Sequence, residues 1–259
     1  MPGGRRDSSK TRVRPIFDRL SARSDNWIAD LLALPAGGYA DARIGSRDLS
    51  LVGGYWEPKE KKLDPPVSLL SWLIRHATAL PNRETATGPR RDLMDGRPAA
   101  LQAALDALRT GREPRPWYIF EGPTSPDVFL VTPDALVVIE GKRTEPAATV
   151  DTTWLKGRHQ IWRHIDAAWE IRATRDVYGF FIVEGTPPLD PDVPEYWSLA
   201  ARECLDTRAL RSSFPHRSAD EVAAISRCFL GVTTWRRVCD RFGIDWHALP
   251  DVTDPDAPR

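Results

Sequence analysis

The sequence predicts a mixed α/β (α+β) fold, and three observations carry that expectation. Residues 126–142, Pro-Asp-Val-Phe-Leu-Val-Thr-Pro-Asp-Ala-Leu-Val-Val-Ile-Glu-Gly-Lys, hold two apolar runs around a Thr132-Pro133-Asp134 turn signal, the pattern of an antiparallel hairpin. Residues 177–183 form another β-branched and aromatic run, a buried strand by composition. Around them lie stretches whose apolar residues recur at helical spacing. The hairpin strands are apolar on both sides of the pleat, so the sheet should be covered on both faces.

Taken in order, residues 1–24 are rich in Arg, Ser and Lys and read as a solvated basic arm, with Ile16 and Phe17 as its apolar points. A short helix over 25–34 places Trp27, Ile28, Leu31 and Leu32 on one side, and Pro35 with Gly37-Gly38 stops it. Turn-rich sequence with weak strand signals at 49–52 and 55–56 leads to a helix over 67–80, bounded by Pro66 and Pro81. Residues 82–96 read as a polar loop carrying Arg83, Arg90 and Arg91, with Arg97 just beyond. A helix over 98–110 starts on Pro98 and ends before Gly111, with Leu101, Leu105 and Leu108 on its apolar face. A strand over 117–121 and a Gly122-Pro123 turn bring the chain to the hairpin.

After the hairpin, a helix over 152–172 is expected, capped by Asp151 or Thr152 and burying Leu155, Ile161, Ile165, Ala168 and Trp169. His159 and His164 read as polar-face residues of that helix. A proline-rich linker at 185–194 precedes helices over 196–210, over 219–230, and from Thr233 or Thr234 to Phe242, where Gly243 ends the last. The turn between the last two gives the pair a likeness to a helix-turn-helix reader of DNA. A packed helical hairpin suits Trp235, Val238 and Phe242 better.

The hairpin register carries the chemistry. With Pro133 and Asp134 as a two-residue loop, Thr132 faces Ala135 and the pairing runs outward to Asp127 opposite Glu140. Side chains alternate, so Asp127, Glu140 and Lys142 share one face at one end. Glu121 would end its own strand beside them, as a third acid or as a plain polar strand end. Hard cations such as Mg²⁺ prefer carboxylate oxygens and keep several waters. Such a cation activates a bound water and offsets charge growing on a phosphate, and an adjacent ammonium orients that water. Phosphodiester hydrolysis needs these groups. The competing reading is an acid–lysine salt bridge at a strand end, for which Glu-x-Lys alone is commonplace.

In this setting Pro126-Asp127 and Glu140-Gly141-Lys142 resemble the signature of the PD-(D/E)XK nuclease superfamily, the restriction-endonuclease-like fold. The resemblance covers about residues 98–185 and implies an αβββαβ core with a mixed sheet. It divides the chain into an N-terminal extension (1–97, basic arm and helical region), the nuclease-like core (98–185) and a C-terminal helical region (186–259). It implies Mg²⁺, with Mn²⁺ as a substitute, held by Asp127, Glu140 and the Gly141 carbonyl, and Lys142 positioning the attacking water. A helix after the hairpin would bring Gln160 and Arg158 to support the substrate phosphate, with Glu121 a further supporting acid. The activity implied is that of a restriction-like DNA endonuclease, in repair or in defence against foreign DNA. An RNA-directed nuclease, or a non-catalytic nucleic-acid-binding or assembly protein on the same fold, is the alternative.

Among 259 residues, 36 acidic and 36 basic side chains leave no net charge, so attraction to nucleic acid must come from local clusters. No stretch reaches the ~18 consecutive apolar residues of a membrane span. The N-terminus lacks the apolar core of a secretory signal. The expectation is a cytoplasmic protein with nucleic acid, DNA above all, as partner, and with a homodimer or partner protein left open. Cys204, Cys228 and Cys239 are too few and scattered for a disulfide framework or a four-cysteine cluster, unlike the iron–sulfur branch of that superfamily.

Overall fold

Alternation and a two-residue loop leave the hairpin one register, and it forms there: Val128 faces Ile139, Val131 faces Leu136, and Thr132 N–H donates to the Ala135 carbonyl at 2.9 Å. The computed structural model describes residues 7–39, 47–111, 119–185 and 191–251. Among these, strands β1 (Ala36–Gly37), β2 (Gly53–Trp56), β3 (Val128–Val131), β4 (Ala135–Lys142), β5 (Asp176–Val183) and β6 (Phe229–Thr234) form one mixed sheet in the order β1-β6-β5-β4-β3-β2. The run β2–β3–β4 is antiparallel, β5 and β6 continue it in parallel, and β1 closes the far edge antiparallel.

Helices cover both faces, as two-sided apolar strands require. On one face lie α1 (Arg14–Ser21) and α2 (Trp27–Leu32). A satellite cluster to the side holds α3 (Val67–Arg75), α4 (Gly88–Met94) and α5 (Pro98–Thr110). The second face carries α6 (Gln160–Ile171), α7 (Glu195–Cys204), α8 (Thr207–Ser213) and α9 (Ala219–Ser226), and α10 (Trp235–Phe242) returns to the first. Val137, Ile139 and Phe180 pack toward α1, α2 and α10, while Val138, Phe181 and Val183 pack toward α6 and α7. Each such fully buried side chain contributes about 1.5–3 kcal/mol.

Several expectations are corrected. The basic arm is helical from Ser9: Val13, Ile16, Phe17 and Leu20 form an i, i+3, i+4, i+7 stripe, all fully buried in the sheet core. Burial of that stripe outweighs the arginine-rich composition; residues 1–6 lie outside the described residues. The strand expected at 117–121 falls partly outside them too, and 119–121 is not strand; the partner of β3 is β2. Helix 98–110 forms, yet it packs in the satellite with Phe120 and Trp154 instead of on the sheet. Residues 82–96 carry α4, and Arg83, Arg91 and Arg97 are paired with Asp95 and Asp92.

The helix expected from 152 starts at Gln160. Gly157 sits in the left-handed region (φ 74°), and Asp151 and Thr152 spend their side chains on the turn before it, accepting from Gly157 N and Leu155 N. Asp206 splits 196–210 into α7 and α8 by capping the second. The expected turn after α9 is β6, so neither a helix-turn-helix nor a helical hairpin forms there. Phe229–Thr234 is buried throughout, and Gly231 (φ 101°) lies against the Ala36 carbonyl, where a Cβ would stand 2.0 Å away. Thr234 caps α10 and Gly243 ends it, as expected.

The sheet therefore takes strands from all three segments of the chain, which are divisions of sequence and not separate cores. No helix among the described residues is long and apolar enough to cross a membrane. All three cysteines are free and buried.

Candidate metal centre

The end of β4 gathers the hairpin acids. Glu140 is 3% exposed and faces α6. Lys142 Nζ lies 2.9 Å from its Oε1, His164 Nε2 donates to its Oε2 at 3.0 Å, and Gln160 Nε2 donates to Oε1. Gln160 and His164 stand four apart on one face of α6, which aims both at the same carboxylate. The Thr124 hydroxyl bonds His164 Nδ1 at 2.8 Å and fixes the ring.

Asp127, half-buried at the start of β3, accepts from Gly141 N–H at 2.7 Å and from the Ser9 hydroxyl at 3.2 Å. Gly141 is obligatory here, because a Cβ would meet the Trp235 ring at 2.7 Å and Val13 at 3.2 Å. The N-terminal helix and α10 thus clasp the strand end, and Trp235 Nε1 donates to the Lys142 carbonyl at 3.1 Å.

The two acids are driven apart electrostatically. Burial, then the Glu140 charge, push the Asp127 carboxyl well above its ordinary range, against the pull of Gly141 N–H, Lys142 and Ser9. Burial also pushes Glu140 up, but His164 and Lys142 outweigh it and hold Glu140 below its ordinary value. Burial pulls Lys142 down, Glu140 more than restores it, and the ammonium keeps its proton. Glu60 belongs to the same acidic surround: burial, then Glu57, Glu140 and Asp7, raise its carboxyl.

Among the described residues no three His, Cys, Asp or Glu side chains form a ready metal cage. The donors at hand are the Asp127 and Glu140 carboxylates with amide and backbone oxygens. Gln160 leaves its Oε1 buried without a partner. A carboxyl raised by a neighbouring acid and an orphaned amide oxygen both suit a hard, oxygen-seeking cation, so the residues fit Mg²⁺.

Of the expected site residues, Asp127, Glu140, Gly141, Lys142 and Gln160 come together. Glu121 and Arg158 come together too, with each other: Arg158 donates to Glu121 at 3.1 and 3.2 Å, to Asp166 at 2.9 Å and to the Ser213 carbonyl at 2.6 Å. Both are buried in a structural ion cluster, and Arg158 precedes α6. His164, Thr124, Ser9 and Glu60 were not singled out as site residues. The Gln160/His164 spacing carried a signal; Ser9 and Thr124 reach the corner only through tertiary packing. Comparison with protein-family models, curated proteins and solved structures gives no match for this chain.

Proposed function

We propose that the chain is a Mg²⁺-dependent nuclease of the PD-(D/E)XK type, acting on DNA, with Mn²⁺ as a competent substitute. The observation that carries the reading is the convergence of Asp127, Glu140 and Lys142 at one strand end, where a single ammonium serves two acids and the Asp127 carboxyl is raised. The sheet adds support: α1, β2, β3, β4, α6 and β5 follow in the order helix, three strands, helix, strand that the resemblance implies, with α2, the two-residue edge strand β1 and the α3–α5 satellite as insertions.

In this reading Asp127, Glu140 and the Gly141 carbonyl hold the cation, and Gln160 Oε1 lies ready to support it. The bound ion supplies Lewis acidity and a water of lowered pKa. Lys142, fully protonated beside Glu140, orients the attacking water and stabilises charge building on the phosphate. His164 positions Glu140, and Thr124 positions His164. Incubating the purified protein with circular and linear DNA under Mg²⁺, Mn²⁺ or EDTA tests the proposal. Cleavage that EDTA abolishes is expected; no cleavage under either metal, with DNA still bound, counts against it.

One observation favours a second reading. Glu140 already has donors on both oxygens, as a structural carboxylate requires. A nucleic-acid-binding or assembly protein on the same fold would look like this at Glu140, but it leaves the Asp127 carboxyl without an explanation.

A further inference from the structure

A cavity of about 540 Å³ opens beside the corner, a size within the range of small-molecule sites. Ala148, Val150, His159, Ala200, Cys204 and Ala209 form its walls, and the exposed Lys156 and Arg208 stand at its rim with Glu203 and Asp206. Both ends of the wall are tied to the corner. The segment after Lys142 runs directly into Ala148 and Val150. His159 and Gln160 are consecutive, and the first turns into the cavity while the second turns to Glu140.

A Cys–His pair at 3.3 Å invites comparison with a nucleophilic dyad. Burial pushes the Cys204 thiol up to about 12, so the thiol is a poor nucleophile. What remains is a largely apolar slot with one flat ring, held edge-on to Phe181. That ring has the soft thiol as its side-chain hydrogen-bond contact among the described residues. An uncharged heteroaromatic ring with its own donors and acceptors is the complementary ligand, and cations at the rim suit a phosphate attached to it.

We infer that this cavity receives a nucleobase of the strand whose backbone lies at the Asp127–Glu140 corner, an inference that rests on the nuclease reading. The base slides against His159 between small side chains, while Lys156 and Arg208 meet the adjoining phosphate. The cavity would thereby set which phosphodiester reaches the corner.

The test is affinity for a short single-stranded DNA in EDTA, with an abasic residue placed at each position in turn, run alongside Mg²⁺-dependent cleavage of the intact strand. Wild type should lose about tenfold or more in affinity at one abasic position, the scale of one lost base-stacking contact. Ala209→Phe fills the slot; it should lose the same factor on intact DNA and show no further loss on the abasic strand. Val150→Trp at the exposed mouth serves if Ala209→Phe lowers the melting temperature. Indifference of wild type to every abasic position overturns the base slot. If cleavage persists in that case, the nuclease reading survives alone. Abasic discrimination without cleavage sinks the nuclease reading and keeps the slot in a binding protein. Tight binding of free mononucleotides with no abasic effect would mean a free-nucleotide ligand and would also overturn the inference.

Discussion

Two clusters of buried charge lean on α6, and they behave oppositely. Around Asp166, burial pushes the carboxyl up, but Arg158, His216 and Arg217 overwhelm it and bring it down to about 2. Its two oxygens meet Arg158 at 2.9 Å, Arg217 at 3.0 Å and His216 at 3.3 Å. Around Asp127 a single ammonium, Lys142, faces two carboxylates, and burial and Glu140 raise the Asp127 carboxyl well above its ordinary range. A structural cluster closes its charge within the protein; a corner whose one ammonium serves two acids is, in the proposed reading, where a cation from outside would bind. Both the balance of charges and the direction of the shift separate the two.

The comparison can be broken or sharpened by substitution, beginning with the largest effect. Arg158→Ala strands Glu121 and Asp166 in the core and should cost about 3–5 kcal/mol, lowering the melting temperature by about 10 °C. A thermal melt checks this, and an unchanged melt with lost cleavage would return Arg158 to the site. Lys142→Ala should leave the melt nearly intact while lowering cleavage by roughly 10²-fold or more. Single-turnover kinetics on linear DNA would show it. Thr124→Val removes the bond to His164 Nδ1 and should cost about tenfold in Mg²⁺ affinity or cleavage, the lower end for groups that orient a ligand.

The smallest effect is the most diagnostic. The raised Asp127 carboxyl stabilises the metal-free fold fully below the ordinary Asp value, and that contribution is lost as pH rises through its folded value. Asp127→Asn cannot ionise and keeps an acceptor for Gly141. Its metal-free melting temperature at neutral pH should therefore exceed that of wild type by about 2–4 °C, with the gap closing below about pH 4. Glu140 has the opposite sign: its lowered carboxyl contributes stability above the ordinary Glu value, lost as pH falls through the folded one. Glu140→Gln should accordingly melt below wild type at neutral pH. Melts across pH in EDTA separate the two carboxylates, and parallel behaviour would contradict their assignment.

How much of this was legible in the sequence follows from range. The Asp127–Glu140–Lys142 corner could be read because alternation and a two-residue loop leave the hairpin one register. Gln160 came only from the resemblance, which named Arg158 with equal weight. β2 and β6 were obscured because Gly53-Gly54 weakens one strand signal and Gly231 interrupts the other. The N-terminal helix was masked by arginines, although its stripe from Val13 to Leu20 was present. Glu121 and Arg158 were assigned to the corner because nothing local distinguishes an ion pair that closes on itself from one that faces a ligand. His164 stood four residues from Gln160 in plain view, and only its burial against Glu140 gives it meaning.

The most direct measurement is the titration of the Asp127 and Asp166 side-chain carboxyls by carbon-13 NMR, with and without Mg²⁺. The account predicts that Asp127 titrates well above the ordinary aspartate range without metal and falls sharply when Mg²⁺ is added, while Asp166 stays at about 2 in both conditions. An Asp127 that titrates at or below the ordinary value, or that ignores Mg²⁺, would contradict it.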